Sequence, residues 1–176
     1  AYRENDRLGG YDPYSNSKAC AELVTTAYRQ SFFSKDNKIR VASVRAGNVI
    51  GGGDWSNDRL IVDIVKSIVQ KKELSIRYPQ AIRPWQHVLE PLSGYLLLAE
   101  RLDQNAEQQG AWNFGPNEDS CMSVKQIVEQ FQQLWPRSFE YIIDSQAHFH
   151  EANFLKLDST KARQLLGWAP HWDIYT

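Results

Sequence analysis

Alternation of helical and strand-like segments along the whole chain predicts an α/β fold. Three observations carry it: apolar residues repeating at three and four positions in four separate stretches, short β-branched or aromatic runs between them, and glycine or proline at most of the boundaries. No repeat, low-complexity run or linker interrupts the 176 residues, and 42% apolar with 12% aromatic content is enough for a packed core.

The elements follow in order. Asp12-Pro13 offers an N-cap and a proline suited to the first helical position, and Cys20, Leu23, Val24, Ala27 and Tyr28 form one stripe as far as about Phe32. Residues 39–44 read as a buried strand that feeds the glycine-rich run 47–53, which reads as a loop. Leu60, Ile61, Ile64, Val65, Ile68 and Val69 predict a second helix, with Asp58 as its cap and Lys71-Lys72 suiting the negative end of its dipole. A short strand is expected at 74–78. Glu90-Pro91 opens a third helix with Leu92, Tyr95, Leu96, Ala99 and Leu102 on its apolar face, and a strand follows at 111–114. Ser123 and Gln126 have the spacing of a capping box for a fourth helix, which Pro136 stops. Residues 139–143 are strand-like, and Asp158 can cap a last short helix that ends at Gly167.

Composition excludes some partners. A formal charge of −1, with no basic run longer than Lys71-Lys72, gives no electrostatic footprint for nucleic acid or an anionic membrane. The longest apolar stretches, such as Gly94–Ala99, fall far short of the roughly 20 residues that span a bilayer. Cys20 and Cys121 are in no metal-ligand spacing, the opening residues lack a signal peptide's apolar core, and a reducing cytoplasm fits both facts. Because Met122 is the only methionine, the chain reads as part of a longer polypeptide.

Tyr14 and Lys18 are four apart on the first turn of the first helix, so both project from one face and can meet one bound molecule. A phenol is a poor base at neutral pH; an ammonium beside it favours the phenolate, which can then take a proton from an alcohol. Loss of that proton helps the carbon release a hydride to a nicotinamide, whose ribose the same lysine can reach. Eight tyrosines and nine lysines in 176 residues give about 0.4 such spacings by chance, so the pair gains its weight from the capped helix, strand and glycine-rich run around it. No strand is followed by the spaced glycine turn that opens a dinucleotide-binding helix, which puts any dinucleotide-phosphate site outside this chain.

The segment Gly10-Tyr-Asp-Pro-Tyr14-Ser-Asn-Ser-Lys18 resembles the catalytic-helix segment of the extended short-chain dehydrogenase/reductase family. Within that family the chain is similar to the CDP-glucose 4,6-dehydratases, through Val44-Arg-Ala-Gly-Asn48-Val-Ile-Gly-Gly-Gly-Asp-Trp55, Asp58-Arg-Leu-Ile61, Arg83-Pro-Trp-Gln-His-Val-Leu-Glu-Pro91 and Trp112-Asn-Phe-Gly-Pro116. The resemblance covers nearly the whole chain. It implies the C-terminal part of a Rossmann-like doubly wound sheet over residues 1–72, and a small α/β nucleotide-sugar-binding lobe, interleaved with it, over 73–176. It also implies NAD as cofactor, CDP-glucose or a related nucleotide sugar as substrate, and a homodimer formed by the Tyr14 and Leu92 helices.

Residue roles carry over in the same way. Tyr14 is the base for oxidation at carbon-4 and Lys18 supports it and the cofactor ribose, while Arg45 and Ala46 lie where the family approaches the nicotinamide. Asn48, on its own residues a simple turn asparagine, is assigned to substrate contact. Arg59 and Arg83 could each pair bidentately with diphosphate oxygens, Arg83 matching the family's substrate arginine. The strand around Ile76 and Arg77 lies where relatives cradle the base, which makes it the candidate for cytosine contact; on its own residues it reads equally as an edge strand. The family's third oxidation residue and its elimination acid/base pair have no counterparts here, which leaves two alternatives: another nucleotide-sugar epimerase or dehydratase, or a silent nucleotide-sugar-binding chain. No metal is expected, because His148 and His150 with Glu151 have no zinc spacing and instead resemble a family contact region. Of six tryptophans, Trp55 and Trp85 stand beside glycine or proline, where a ligand platform is conceivable.

Overall fold

Asp12 starts the first helix as its sequence requires: its carboxylate accepts from the Ser15 amide at 2.9 Å and the Ser15 hydroxyl at 2.6 Å, with Pro13 in the first turn. In the computed structural model, which describes residues 1–33, 38–136, 139–146 and 151–176, α1 spans Pro13–Tyr28 and runs on through a π-helical turn, Arg29–Phe33. Then come β1 (Ala42–Ala46), β2 (Asn48–Ile50), α2 (Leu60–Gln70), β3 (Leu74–Ile76), β4 (Ile82–His87), α3 (Leu89–Gln104), β5 (Gly110–Phe114), β6 (Cys121–Ser123), α4 (Val124–Leu134) and β7 (Tyr141–Ile143). A last π-helical turn, Ala162–Leu166, ends at Gly167 in the left-handed region, φ 71°. None of these helices is long and apolar enough to cross a membrane.

The strands make three small sheets, and the α/β expectation holds. β1 pairs parallel with β5, Ala46 opposite Phe114. β4 lies between β2, parallel with Asn48 opposite Trp85, and β6, antiparallel with Arg83 opposite Met122. β3 pairs parallel with β7, Ile76 opposite Ile143. The crossing from β1 to β2 turns on Gly47, where a Cβ would sit 2.5 Å from Pro84 Cγ and 2.6 Å from its carbonyl oxygen, so only glycine lets the backbone lie this close to β4.

Each sheet is sealed by its own apolar cluster. Ile64, Ile68, Leu74, Ile76, Val128 and Phe139 join α2 and α4 to β3; Trp85, Met122 and Ile127 join α4 to β4 and β6. Leu98, Trp112, Phe114, Ala162, Leu166 and Trp168 join α3 and the last turn to β5. Full burial of Trp112 and Phe114 stabilises by about 2–3 kcal/mol each. The capping box forms as expected, with Ser123 Oγ accepting from the Gln126 amide and Gln126 Oε1 accepting from the Ser123 amide.

Several expectations need correcting. Asn48 is the first residue of a paired strand, not part of a loop, because β4 supplies the backbone partner that a glycine-rich run does not advertise. Arg59, not Asp58, occupies the N-cap of α2; Asp58 takes φ 57°, and its carboxylate turns to Arg77 instead. The apolar stripe chosen on α1 faces outward, Cys20, Leu23, Val24, Ala27 and Tyr28 all being exposed, and that on α3 is split, with Leu92, Leu96 and Ala99 exposed and Tyr95 and Leu102 half-buried. α3 instead buries Pro91, Gly94 and Leu98.

Candidate functional site

The tips of β1 and β2, the entry to α2, the end of β3 and the middle of β4 converge on a cleft of about 670 Å³. Of the site candidates read from the sequence, Tyr14, Ala46, Asn48, Arg59, Ile76, Arg77, Arg83 and Trp85 line it. They come from positions 14 to 85 and from all three sheets or the helices packed on them. Lys18 and Arg45 are not in its lining.

Tyr14 is held by its helix. The Asp12 cap fixes the first turn, and hydrogen bonds from Ser15, the side chain first, keep the Asp12 carboxyl below its ordinary value. Ala19 buries the next turn, so the phenol above it stands free of the core at 65% exposure. Lys18, one turn on, carries its Nζ 5.5 Å from the Tyr14 ring centroid, on the same face, as the four-residue spacing requires. The two neither diverge nor disappear into packing.

Arg45 is engaged elsewhere. On β1 its side chain shares a face with Ser43, and both reach Glu22 of α1: Arg45 Nε donates to Glu22 Oε1 at 2.8 Å and Ser43 Oγ to Oε2 at 2.7 Å. Burial works to raise the Glu22 carboxyl, but the hydrogen bonds from Arg45 and Ser43 and the charge of Arg45 outweigh it and hold it below its ordinary value. This pair pins the Tyr14 helix to the sheet. Ala46, one residue further along the strand, faces the cleft because successive strand residues point to opposite sides.

Arg83 is the cleft's buried cation, 7% exposed on β4, its Nη2 donating to Glu151 Oε1 at 3.1 Å and its Nη1 to the Ile82 carbonyl at 2.9 Å. A guanidinium taken out of water this far must be paired, and its fork suits phosphate or carboxylate oxygens. Ile76 is only 2% exposed: its side chain belongs to the core, so it closes the floor of the cleft. Arg59 is exposed at the helix entry. Trp85 is core, donating from Nε1 to the Met122 carbonyl at 3.0 Å, whereas Trp55 is exposed.

Among the charged lining residues, Asp63 escaped the sequence reading, while Asp58 is expected only as a helix cap, Arg77 only beside Ile76 on the strand, and Glu151 only beside two histidines. Arg77 Nη2 lies 3.5 Å from Asp58 Oδ1. Asp63 is pushed above the ordinary aspartate value, chiefly by burial, with Lys66 and Arg77 opposing. Only its place three residues after Leu60, on the first turn of the second helix, could have flagged Asp63. Among the described residues no cluster of His, Cys, Asp and Glu could hold a metal ion; His148 and His150 lie outside them.

Mainly parallel strand pairs with helices packed on them, converging on such a cleft, are those of a Rossmann-type α/β protein, and solved structures of that class superpose on it. The dTDP-glucose 4,6-dehydratase of Bacillus anthracis, solved in complex with NAD, matches with a TM-score of 0.78 at 22% identity, over 98% of this chain and 51% of that one. The UDP-glucuronic acid 4-epimerase of Bacillus cereus, in complex with UDP-glucuronic acid and NAD, matches with a TM-score of 0.78 at 18% identity, over 97% of this chain and 53% of that one. The family model described as GDP-mannose 4,6 dehydratase matches residues 1–176, and the chain belongs to that family. Among curated proteins, the CDP-glucose 4,6-dehydratase of Salmonella typhimurium is 52% identical over 178 residues, covering 98% of this chain. The chain spans about half the length of that relative, 50%.

Proposed function

We propose that the chain is the substrate-binding and Tyr-Lys-bearing part of an NAD-dependent CDP-glucose 4,6-dehydratase, residues 1–72 completing the cofactor domain and 73–176 forming most of the nucleotide-sugar lobe. One observation carries the reading: Tyr14, with the Lys18 ammonium on its own helix face, opens into the same cleft as the buried Arg83. Identity of 52% to a relative with that activity supports the cytidine assignment.

In this reading Arg83 and Asn48 hold the diphosphate and hexose, with Arg59 at the cleft entry. Tyr14 accepts the proton of the sugar's 4-hydroxyl as the hydride leaves carbon-4. Lys18, on the same helix face, reaches the cofactor ribose. The ketone makes the carbon-5 proton acidic; that proton and the carbon-6 hydroxyl leave as water, and hydride and proton return to carbons 6 and 5, giving a 4-keto-6-deoxy sugar. NAD, when bound, supplies the hydride acceptor and gives the hydride back within the cycle. Tyr14 and Ala46 fit its nicotinamide-ribose end, with Lys18 on the Tyr14 helix face, since the cleft presents an open phenol and a small residue that leaves room for a ring. Arg45, tied to Glu22, serves that end by fixing the helix.

Exposed Leu23, Val24, Tyr28 and Phe32 on the first helix and Leu92 and Leu96 on α3 support a homodimer through these two faces. Two free cysteines, Cys20 and Cys121, suit a reducing cytoplasm. The test supplies CDP-glucose and NAD to the full-length enzyme and follows the sugar nucleotide by mass spectrometry. Loss of one water with no net cofactor reduction is expected. Isomerisation without loss of mass would make it an epimerase instead, and dehydration of UDP- or dTDP-glucose in preference would displace the cytidine assignment.

A further inference from the structure

Residues 168–176 are fastened across the start of α3 by a buried carboxylate. Glu90, in the first turn of α3, is 3% exposed. The exposed His171 ring keeps its Nδ1 4.0 Å away, and both carboxylate oxygens are taken by backbone amides of consecutive residues. Oε2 accepts from His171 N and Oε1 from Trp172 N, each at 2.9 Å. A carboxylate this far from water is tolerated only while its donors stay in place, and the positive end of the α3 dipole adds to them. On the same turn Trp168 Nε1 donates to Ser93 Oγ at 3.0 Å, and Ser93 Oγ donates to the Glu90 carbonyl at 2.7 Å. The segment is thereby held as a strap.

From this anchor the strap reaches β4. Trp172 meets the His87 ring edge-on at the end of that strand, centroids 5.1 Å apart. Two residues on, the Ile174 amide donates to the buried Ser120 hydroxyl at 3.1 Å, and the Ile174 side chain packs against the cluster of Trp85, Met122 and Ile127. Ser120 directly precedes β6, whose Met122 lies opposite Arg83. Arg83, Trp85 and His87 point to one side of β4, because residues two apart on a strand share a face. The strap therefore steadies both residues that follow Arg83 on its own face, and through Ser120 the strand that sets its register.

We infer that residues 168–176 set the aim of Arg83, Glu90 acting as the latch and Ile174 as the contact that transmits it, which rests on the reading of Arg83 as the diphosphate ligand. Glu90 and Ile174 are then positioning residues: they act on substrate affinity through Arg83. A guanidinium fork grips two oxygens only when both of its nitrogens are in line with them. Displacing such a group by about 1 Å from a remote position costs up to about a hundredfold.

The test uses the full-length enzyme with Glu90→Gln, Ile174→Ala and Arg83→Lys, alone and in pairs, measuring CDP affinity by calorimetry and KM and kcat with CDP-glucose. Glu90→Gln turns an NH2 toward one of the two backbone amides, and Ile174→Ala removes most of the side chain from the cluster. Each is expected to weaken CDP binding and raise KM by about five- to tenfold, with kcat within about threefold. In the Arg83→Lys background, which has lost the fork, neither should weaken binding by more than about twofold. A lowered melting temperature with CDP affinity and KM unchanged would make the strap purely structural and overturn the inference. The same loss in the Arg83→Lys background as in the parent would mean that the strap does not act through Arg83. If the parent does not bind CDP, or Arg83→Lys leaves its affinity unchanged, the diphosphate reading of Arg83 falls and the inference with it. Should Glu90→Gln not fold, Ile174→Ala decides by the same measurements.

Discussion

Arg45 and Glu22 meet at 2.8 Å between β1 and the helix that carries Tyr14, which turns a residue expected at the cofactor into the bracket that aims the phenol. Arg45→Ala leaves a half-buried carboxylate with only Ser43, and should cost about 1–3 kcal/mol in urea unfolding at neutral pH. Glu22 is held below its ordinary value of 4.5, so its stabilisation is present above that value and is lost as the pH falls below it. The cost of Arg45→Ala should therefore shrink in acid. A cost that is the same at all pH values would mean that the ion pair is not what holds the helix.

Asp158 ties the last helical turn to the chain's first residues. Its Oδ1 accepts from the Thr160 amide at 2.8 Å and its Oδ2 from Arg3 Nε at 3.0 Å. The Thr160 hydrogen bonds first, then Arg3, lower its pKa from 3.8 to about 2. A lowered carboxylate stabilises above its unfolded pKa and loses that contribution between pH 3.8 and about 2. Because solvent screens a group this near the surface, Asp158→Ala should lose only about 1 kcal/mol at pH 7 and converge on the parent near pH 2, measured by denaturant titration across the range.

Gly94→Ala inverts a familiar rule. In a helix interior alanine is normally better than glycine by about 1 kcal/mol. Here its Cβ would lie 2.2 Å from Phe114 Cδ1, and Phe114 is fully buried with Tyr95 at 5.5 Å and Trp168 at 5.0 Å edge-on to its ring. With no room to give, the substitution should destabilise by about 1–3 kcal/mol and lower the melting temperature. An unchanged or raised melting temperature would mean that α3 can lift off β5 at no cost.

Tyr14→Phe removes only a hydroxyl from an exposed ring. In the full-length enzyme it should lower kcat by about 10²–10⁴ while leaving nucleotide-sugar affinity and the melting temperature in place. Turnover within a few-fold of the parent would remove Tyr14 from the chemistry.

Much of the local structure was legible. Asp12, Ser123 and Gly167 act within four residues of themselves, and the structure finds each terminating a helical segment as its type demands. β2, β4 and β6 were not legible. β4 carries Pro84 in the middle strand of a sheet, along with Arg83, Gln86 and His87, and β2 and β6 have three residues each, so none shows an alternating pattern. The helix faces were misjudged for a related reason. α1 and α3 carry apolar residues on more than one side, and periodicity alone does not say which side meets the sheet: on α3 it was Pro91, Gly94 and Leu98, against Phe114.

The amino-acid order by itself determined the caps of the first and fourth helices, the four-residue spacing that sets Lys18 beside Tyr14, and the α/β alternation, because each is an interaction between near neighbours in the chain. Only the tertiary structure decided that Ala46 lines the cleft while Arg45 turns to Glu22, that Arg83 is buried beside Glu151, and that Asp58 leaves its helix for Arg77. Those outcomes depend on which side of a strand faces the gap between sheets and on which distant side chain waits there, and pairing across 19 to 68 positions leaves no mark in the local sequence.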